Sequence, residues 1–322
     1  MVSENLAADV AAFLAHKRAL GRKYLSEEAT LHLLLVYTDQ CGVTESAGLT
    51  PQLLDEFVAS RSRRRARSFN HLIGVLGTFL DWAVSQQLLA ATPWHGTRRR
   101  ETDERLPFLL DTAQARRLLE SAAALPDNPR AIGRGPTYHA IFALCYGLGL
   151  RGGEACHLLL EDIDTDRQLL VVRGGKFGKS RLVPFGPRIG ELLARQLKHR
   201  QGQEGAGPGS PLFTFDGRRC VNRTSASHTF RLLAIELEFP VPAGTTAPHL
   251  HSLRHSFAVG SLLRWYREGV DPSVRLFQLS TFMGHVDPAS TAVYLTITPE
   301  LFSEASHRIE VFAEPAWLEE QP

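Results

Sequence analysis

The stretch "HSLRHSF", residues 251–257, sets an arginine between two histidines and then continues into the apolar run "AVGSLLRWY". The apolar residues that follow have the spacing of a helix that packs one face into a core. A helix needs none of these three polar side chains for packing. His251 and Arg254 are three residues apart, so they lie on the same helix face. The stretch therefore predicts a helix that offers an arginine and a histidine to one shared site.

The composition is that of an ordinary globular protein. A chain of 322 residues is long enough for one large domain or two smaller ones. The four cysteines are scattered without a CxxC pair, which predicts free thiols in a reducing compartment. The polar start "MVSENLAADV" has no signal-peptide pattern, and no apolar run reaches the ~20 residues that a bilayer requires. We expect a soluble cytoplasmic protein with no membrane partner.

Residues 1–92 are predicted to form an N-terminal bundle of four amphipathic helices. Ser26 is a candidate N-cap for the second helix, while Thr50 and the following proline are expected to start the third. Prolines, a glycine and mixed charges then predict a linker at 93–107. The remaining residues, 108–322, are expected to form a second domain.

The second domain has mainly helical patterns and one exception. "RQLLVVRGG" and "SRLVPFG" are β-rich runs separated by a glycine-rich turn, which predicts a hairpin. The fold class expected for the whole chain is therefore mainly α, with a small antiparallel β-sheet.

Positive charge is concentrated rather than spread. The formal net charge is only +2, but "RSRRRAR", residues 61–67, holds five arginines, and Arg98, Arg99 and Arg100 follow. Such a cluster is either a solvated helix start or a surface that contacts nucleic-acid phosphates. The five candidates for DNA contact are Arg61, Arg63, Arg64, Arg65 and Arg67.

Six polar residues stand out because they interrupt apolar or glycine-rich segments of the second domain. They are Arg151, Lys176, His251, Arg254, His285 and Tyr294. Taken singly, each is more typical of a surface charge, a helix cap or a core tyrosine with a bonded hydroxyl. Taken together, they form a set with a chemical purpose.

The residue types in this set suit the chemistry of a phosphodiester. Arginine forks match phosphate oxygens and neutralise charge that grows in the transition state. Histidines move protons near neutral pH, and a lysine can protonate a leaving alkoxide. A tyrosine can attack and keep the phosphate as a covalent ester, but a free phenol with a pKa of about 10 needs a base and a cationic pocket. No metal or other cofactor is expected, because the cations take over that electrostatic role.

Four segments resemble the ordered motifs of the tyrosine recombinase (phage integrase) family, which includes XerC/XerD-like recombinases and mobile-element integrases. They are "GLGLRGGEACHL" (147–158), "GGKFGKSRLVP" (174–184), "HSLRHSF" (251–257) and "MGHVDPASTAVY" (283–294). The family tyrosine follows the histidine of the last motif by nine residues, as Tyr294 follows His285. The resemblance covers 108–300 by motif and 1–92 by architecture, since the family usually begins with a helical core-binding domain.

The resemblance implies a role for each residue. Tyr294 would attack the scissile phosphate, form a 3′-phosphotyrosine link and free a 5′-hydroxyl. Arg151 and Arg254 would hold the non-bridging oxygens. His251 would be the base for the tyrosine, and Lys176 would be the acid for the leaving oxygen. His285 would donate a hydrogen bond to the phosphate, and the carboxylate of Glu154 would orient the site.

Three positions depart from the family pattern or stay open. Phe177 stands where the family commonly has a glycine, which leaves Lys179 as an alternative to Lys176. Gly152 and its neighbouring glycine replace a bulkier pair. His255 often has a counterpart in the family, and a direct role for it is left open.

The resemblance implies a site-specific recombinase that cuts and rejoins double-stranded DNA at recombination sites. No P-loop pattern occurs, which agrees with chemistry that needs no ATP. A homo-tetramer on paired sites is expected, alone or with a sister recombinase. The tail after Tyr294 carries one amphipathic helix of the kind that docks on a neighbouring subunit in the family. The motifs and tail are slightly closer to mobile-element integrases.

Three other functions are compatible with part of this pattern. A type IB topoisomerase could use the same residues to relax supercoils. A zinc hydrolase could draw on His249, His251 and His255, but no nearby acid and no HExxH completes a ligand set. A non-catalytic DNA-binding protein would not need the full set of catalytic residue types.

Overall fold

The computed structural model describes residues 5–101, 105–174, 180–202, 206–285 and 287–296. The chain divides into two compact units, Met1–Glu104 and Arg105–Pro322. Both units are mainly helical, and a small antiparallel sheet lies in the second, which confirms the predicted fold class. The assignment of 1–92, 93–107 and 108–322 to two domains and a linker stays a prediction.

The first unit contains the four predicted helices. They are α1 (Leu6–Ala19), α2 (Leu25–Gln40), α3 (Pro51–Ser60) and α4 (Ala66–Ser85). As predicted, α3 begins after Thr50, whose hydroxyl accepts a hydrogen bond from the Leu53 amide at 3.2 Å. The prediction for α2 was wrong: the helix begins before Ser26, and Tyr24 stands at the N-cap with a left-handed φ of 51°.

The segment after α4 packs along the bundle of the first unit. The indole nitrogen of buried Trp94 donates a hydrogen bond to Asp55 on α3 at 2.7 Å. Asn70 on α4 makes two 2.8 Å hydrogen bonds with the backbone of Arg99. Part of the segment predicted as a linker therefore has defined contacts within the first unit.

The second unit is built around one buried helix. Its helices are α5 (Thr112–Ala123), α6 (Arg134–Gly147), α7 (Gly152–Cys156), α8 (Pro187–Gln201), α9 (Arg223–Glu236), α10 (Leu250–Arg267), α11 (Pro272–Met283) and α12 (Ala289–Ala292). The middle of α6 is buried on all sides, and this helix packs against α5, α7, α8 and α10. A 3-10 turn, Val293–Thr296, follows α12.

The sheet contains the predicted hairpin and one further strand. β2 (Leu169–Val172) pairs antiparallel with β3 (Arg181–Pro184) in a register that sets Val172 opposite Arg181. The two-residue strand β1 (Ile163–Asp164) adds to the outer edge of β2. The tip of the hairpin, residues 175–179, lies outside the described residues.

Among the helices that the structure describes, none has the length and apolar character needed to cross a membrane.

Candidate active site

Glu154 lies at the centre of the polar cluster in the second unit. Its carboxylate accepts a hydrogen bond from the Arg151 backbone amide at 2.9 Å and another from the Arg151 guanidinium at 2.7 Å. Arg181 donates to both carboxylate oxygens, at 3.0 and 2.9 Å, and the Nη1 of Arg254 is 4.0 Å away. Burial alone would raise the pKa of Glu154, but the hydrogen bonds and charges of Arg181 and Arg151 lower it to about 2. One carboxylate therefore orients three arginines.

The same three arginines bind the last carbonyls of α11. Arg181 Nε donates to the Phe282 carbonyl at 2.9 Å, Arg254 Nη2 to that of Met283 at 2.7 Å, and Arg151 Nη2 to that of Gly284 at 3.0 Å. These carbonyls have no partner within the helix and lie at its negative end, so cations are favoured there. The end of α11 is thereby fixed against α7, β3 and α10.

Gly284 is required at this helix end for two reasons. Its φ of +69° is left-handed, which ends the helix at little cost for glycine. A Cβ at this position would lie 2.7 Å from Nη1 of Arg181, closer than real Cβ atoms approach. The backbone amide of His285 then bonds the Ser280 carbonyl at 2.9 Å, and its ring Nδ1 is 2.6 Å from the Thr291 hydroxyl. The glycine thus turns the chain so that His285 enters the arginine cluster.

Arg254 is the most deeply buried cation of the cluster. Only 1% of it is exposed, and its Nη1 donates to the Gly149 carbonyl at 2.5 Å. Its Nε is buried without a hydrogen-bond partner. Burial and the charge of Arg151 lower the pKa of Arg254 to about 10, opposed by Glu154, so the group stays charged at neutral pH. A buried charged donor without a partner is costly and suits an anion that arrives from outside.

Tyr294 is buried beside a histidine. It is 3% exposed and packs in an apolar cluster with residues of α10 and α11, including Val259 and Met283. Its hydroxyl lies 2.9 Å from Nδ1 of His255. Burial raises the pKa of Tyr294, while the charges of Arg254 and Arg151 act in the opposite direction. The phenol is therefore neutral and has a nitrogen base within hydrogen-bond distance.

The histidines of the cluster are held in the neutral form. Burial, followed by the neighbouring positive charges and histidines, lowers the pKa of His251 and of His285 to about 4 and that of His255 to about 3. The rings of His251 and His255 meet edge to face at 4.6 Å between centroids. At pH 7 these imidazoles are therefore uncharged, and each has one ring nitrogen that can accept and one that can donate a hydrogen bond.

Five of the six predicted catalytic residues lie in this cluster. Arg151 stands at the N-cap of α7, His251 and Arg254 on α10, His285 just after α11, and Tyr294 in the final 3-10 turn. The sixth, Lys176, and its alternative Lys179 fall outside the described residues, as does the predicted tail helix. The roles of all six stay predictions.

The predicted DNA-contact arginines occupy the junction of α3 and α4. Arg64, Arg65 and Arg67 are exposed, while Arg61 and Arg63 are half-buried. The Arg61 guanidinium lies 5.4 Å from the centroid of a phenylalanine ring on α3.

Two further residues of the cluster were missed or left open from sequence. Arg181 was read as part of a hairpin strand, although it is an arginine next to glycine-rich and apolar residues, as the other candidates are. His255 was left open on the expectation that it faces differently from His251. That expectation was wrong: the two histidines are one turn apart on α10 and their rings are in contact. The packing explains why a glycine stands at position 152, where the family commonly has a bulkier residue. A Cβ on Gly152 would lie 2.5 Å from the side chain of Leu250, so a larger residue does not fit this packing.

No metal site is found in the part of the chain that the structure describes: it contains no cluster of three or more histidine, cysteine or acidic side chains that could hold an ion. The zinc hydrolase alternative therefore has no support there.

The chain is similar to known recombinases over most of its length. The sequence profile described as "Phage integrase family" matches residues 109–300. A putative integrase/recombinase, y4rB of Sinorhizobium fredii, is 32% identical over 92% of this chain and 95% of its own length. The tyrosine recombinase XerD of Ralstonia nicotianae is 28% identical over 77% of this chain and 75% of its own.

A solved structure shares the fold. The Tn1549 transposon integrase, solved in complex with a circular intermediate DNA, superposes with a TM-score of 0.64 at 17% identity, over 97% of this chain and 100% of the integrase chain. Together, the profile match and the full-length relative establish the family: this chain belongs to the phage integrase family, the tyrosine recombinases.

Proposed function

We propose that this chain is a site-specific DNA recombinase that breaks and rejoins double-stranded DNA through a covalent link to Tyr294. The observation that carries the proposal is the buried Tyr294 hydroxyl, set 2.9 Å from the nitrogen base of His255 beside the arginine cluster that Glu154 organises. This arrangement joins a nucleophile, a base and preorganised cations, which is what transfer of a phosphodiester requires.

The proposed first step is a transesterification. The Tyr294 hydroxyl gives up its proton and forms a bond to phosphorus, while the bond from phosphorus to the 5′-oxygen breaks. The leaving oxygen takes a proton from an acid, for which Lys176 is the prediction. Rejoining reverses the step with the 5′-hydroxyl of another strand, so the ester keeps the bond energy and no ATP is consumed.

Two histidines are candidates for the base. The family resemblance assigns this role to His251, whereas the Tyr294 hydroxyl contacts His255 in this structure. We assign the first proton acceptance to His255, because a general base must lie within hydrogen-bond reach of the proton it removes. Burial lowers the pKa of His251 and the charges of Arg254 and Arg151 lower it further, so His251 lies near the two arginines that are proposed to bind the phosphate. We therefore assign His251 a hydrogen bond to the phosphate.

The arginines are proposed to neutralise the phosphate. Arg254 has its Nη groups on backbone carbonyls and its Nε unpartnered, so Nε is the donor assigned to a non-bridging oxygen. Arg151 is the more exposed of the two arginines, with 25% of its side chain accessible to solvent. It can therefore contact DNA without any movement of the residues around it. His285 is proposed to add a hydrogen bond.

The first unit is proposed to bind DNA phosphates through the arginines at the α3–α4 junction. Exposed guanidiniums without fixed acidic partners suit phosphate contacts, and binding through them is weakened by salt. Replacement of Arg64, Arg65 and Arg67 by alanine should therefore reduce the salt dependence of DNA binding. An unchanged salt dependence would contradict this assignment.

A homo-tetramer on paired recombination sites in the cytoplasm, alone or with a sister recombinase, completes the proposal. Its support is the family resemblance alone. Light scattering of the protein on DNA with two sites tests it, because a complex with one monomer only would exclude this assembly.

The test of the proposed chemistry is a nicked DNA duplex that carries the candidate recombination site from the DNA flanking the gene. After cleavage, the short fragment that carries the free 5′-hydroxyl diffuses away from the nicked strand. The strand cannot then be rejoined, and the covalent intermediate accumulates. We expect a protein–DNA adduct that survives detergent, and mass spectrometry of the digested adduct should place the nucleotide on Tyr294.

Two variants make the test specific. Tyr294→Phe should form no adduct and still bind the DNA, because only the nucleophilic oxygen is removed. Tyr146→Phe, which removes a partly exposed phenol from α6 in the same unit, should form the adduct as the wild type does. An adduct that persists in Tyr294→Phe would refute the proposal. A wild type that relaxes supercoiled plasmids lacking the site would instead favour the topoisomerase alternative.

A further inference from the structure

The C-terminal end of α11 has every free carbonyl satisfied, and this end determines where His285 lies. The backbone amides of Gly284 and His285 bond the carbonyls of Thr281 and Ser280 at 3.0 and 2.9 Å, which is the Schellman arrangement. The next three carbonyls, of Phe282, Met283 and Gly284, each accept a hydrogen bond from a different arginine. Helix ends are usually capped by their own chain or by water, so three guanidiniums on successive carbonyls indicate a fixed joint.

Arg181 differs from the other two arginines in that all three of its guanidinium nitrogens are engaged with the protein, two of them on one carboxylate. Each of its three guanidinium nitrogens makes a hydrogen bond: Nε to the Phe282 carbonyl, and Nη1 and Nη2 to the two oxygens of Glu154. Its side chain is only 12% exposed. A cation that is buried and bonded in this way acts on its neighbours rather than on a substrate.

Arg181 also joins elements that are far apart in sequence. It is the first residue of β3, the strand that follows the hairpin tip, whereas Glu154 belongs to α7 and Phe282 to α11. The planar guanidinium matches the carboxylate with two parallel hydrogen bonds, while its Nε bonds the carbonyl. A lysine ammonium on this stem cannot reproduce both contacts in one geometry.

We propose that Arg181 is a positioning residue for DNA cleavage: it holds the end of α11 against the carboxylate of Glu154 and thereby sets His285 and Arg151 in the places that the scissile phosphate requires. This inference rests on the proposed function and deepens it, since Arg181 lies within the segment 174–184 but is not among the residues to which the family resemblance gives a role. The packing of Arg181 against Gly284 supports the proposal. A Cβ on Gly284 would lie 2.7 Å from Nη1 of Arg181, so the guanidinium and the end of α11 have no room to shift towards each other.

The experiment compares Arg181→Lys with the wild type in the full-length chain. Single-turnover adduct formation on the nicked duplex is measured at saturating protein, and the non-covalent Kd for the same DNA is measured separately. Misplacement of catalytic groups by a fraction of an ångström to 1 Å should slow cleavage about ten-fold to a hundred-fold. The Kd should stay unchanged, because the Arg181 guanidinium is largely buried and bonded to Glu154 and the Phe282 carbonyl. Arg188→Lys, an exposed exchange of the same type in α8, is the matched control.

A second readout separates positioning from a general loss of stability. The imidazole resonances of His285 in the free, histidine-labelled protein are assigned with a His285→Gln variant. Arg181→Lys should shift these resonances, and Arg188→Lys should leave them in place. If Arg181→Lys does not fold, Arg181→Gln is used, since it keeps one donor for the carbonyl.

The outcomes are distinct. Slower cleavage with an unchanged Kd and shifted His285 resonances supports the proposal. Cleavage at the wild-type rate overturns it, and so does slower cleavage with unshifted resonances. Failure of both variants to fold assigns Arg181 to stability and also overturns it. If the wild type itself forms no adduct, the proposed function fails, while the resonances still test whether Arg181 positions His285.

Discussion

Replacement of Glu154 by glutamine tests whether one carboxylate holds the site together. The carboxylate receives hydrogen bonds from the backbone and side chain of Arg151 and two from Arg181, and it is 7% exposed. Glutamine keeps the size and one acceptor oxygen. It removes the negative charge and turns an NH2 group towards the guanidiniums, so Arg151 and Arg181 lose a charged hydrogen-bond partner and Arg254 loses a nearby negative charge.

Two independent routes give the magnitude. The pKa of Glu154 lies at about 2 instead of 4.5, which corresponds to about 3 kcal/mol of stability at neutral pH. Removal of one member of a buried ion pair costs about 3–5 kcal/mol in proteins. We therefore expect Glu154→Gln to lower the free energy of unfolding by about 3 kcal/mol at pH 7.

The assay is urea unfolding of the full chain, followed by circular dichroism. With a slope of about 1–3 kcal/mol per molar urea, the expected loss moves the midpoint of the affected transition by about 1–3 M. The pKa of Glu154 is lowered by folding, so its contribution is complete above pH 4.5 and disappears as the pH falls towards about 2. The gap between variant and wild type should narrow over that range. Glu120→Gln, an exposed exchange on α5, should change little.

The reasoning fails if Glu154→Gln unfolds within about 0.5 kcal/mol of the wild type at pH 7, the usual range of surface substitutions. It also fails if the two proteins stay equally far apart in acid. Either result would mean that the arginines are stabilised by something other than this carboxylate.

Three further predictions concern stability. Folding lowers the pKa of His255 from 6.5 to about 3, mainly through burial, so the stability of the wild type should fall as the pH drops through that range. In thermal unfolding at several pH values, His255→Asn should make this fall smaller, while His251 and His285, with pKa values of about 4, keep part of it. Gly284→Ala should cost about 1 kcal/mol or more by denaturant titration, because φ is +69° and the new Cβ meets a guanidinium nitrogen at 2.7 Å. Trp94→Phe should lower the free energy of unfolding by about 1 kcal/mol, because it removes the 2.7 Å hydrogen bond to Asp55. Trp82→Phe should lower it less, because the indole N–H that it removes is buried without a hydrogen-bond partner.

Local patterns predicted the elements of the fold where the sequence itself dictates them. Thr50 with a following proline starts α3 because both residues act within one turn, and the β-rich runs on either side of a glycine-rich tip pair as β2 and β3. The start of α2 was misplaced because Tyr24 takes a left-handed conformation that sequence rarely signals. The strand β1 has two residues, too few to carry a periodic pattern.

The candidate site was predicted in its membership but not in its contacts. Motif order and spacing brought Arg151, Arg254 and Tyr294 to one place. The importance of Arg181 depends on the end of α11, a helix about a hundred residues later in the chain, and no local pattern reports that contact. His255 lies one turn after His251 on the same side of α10, and their rings are in contact. Only the position of the last 3-10 turn shows that the Tyr294 hydroxyl meets His255 rather than His251.

The three arginines that share Glu154 cannot vary independently. Loss of any one leaves a carbonyl at the end of α11 without its guanidinium, and loss of Arg151 or Arg181 also removes hydrogen bonds to Glu154. Residues that share partners in this way are not expected to have additive effects when two of them are replaced together. An engineer who wishes to retarget this recombinase can therefore leave the cluster untouched and search for new DNA specificity among residues whose effects add.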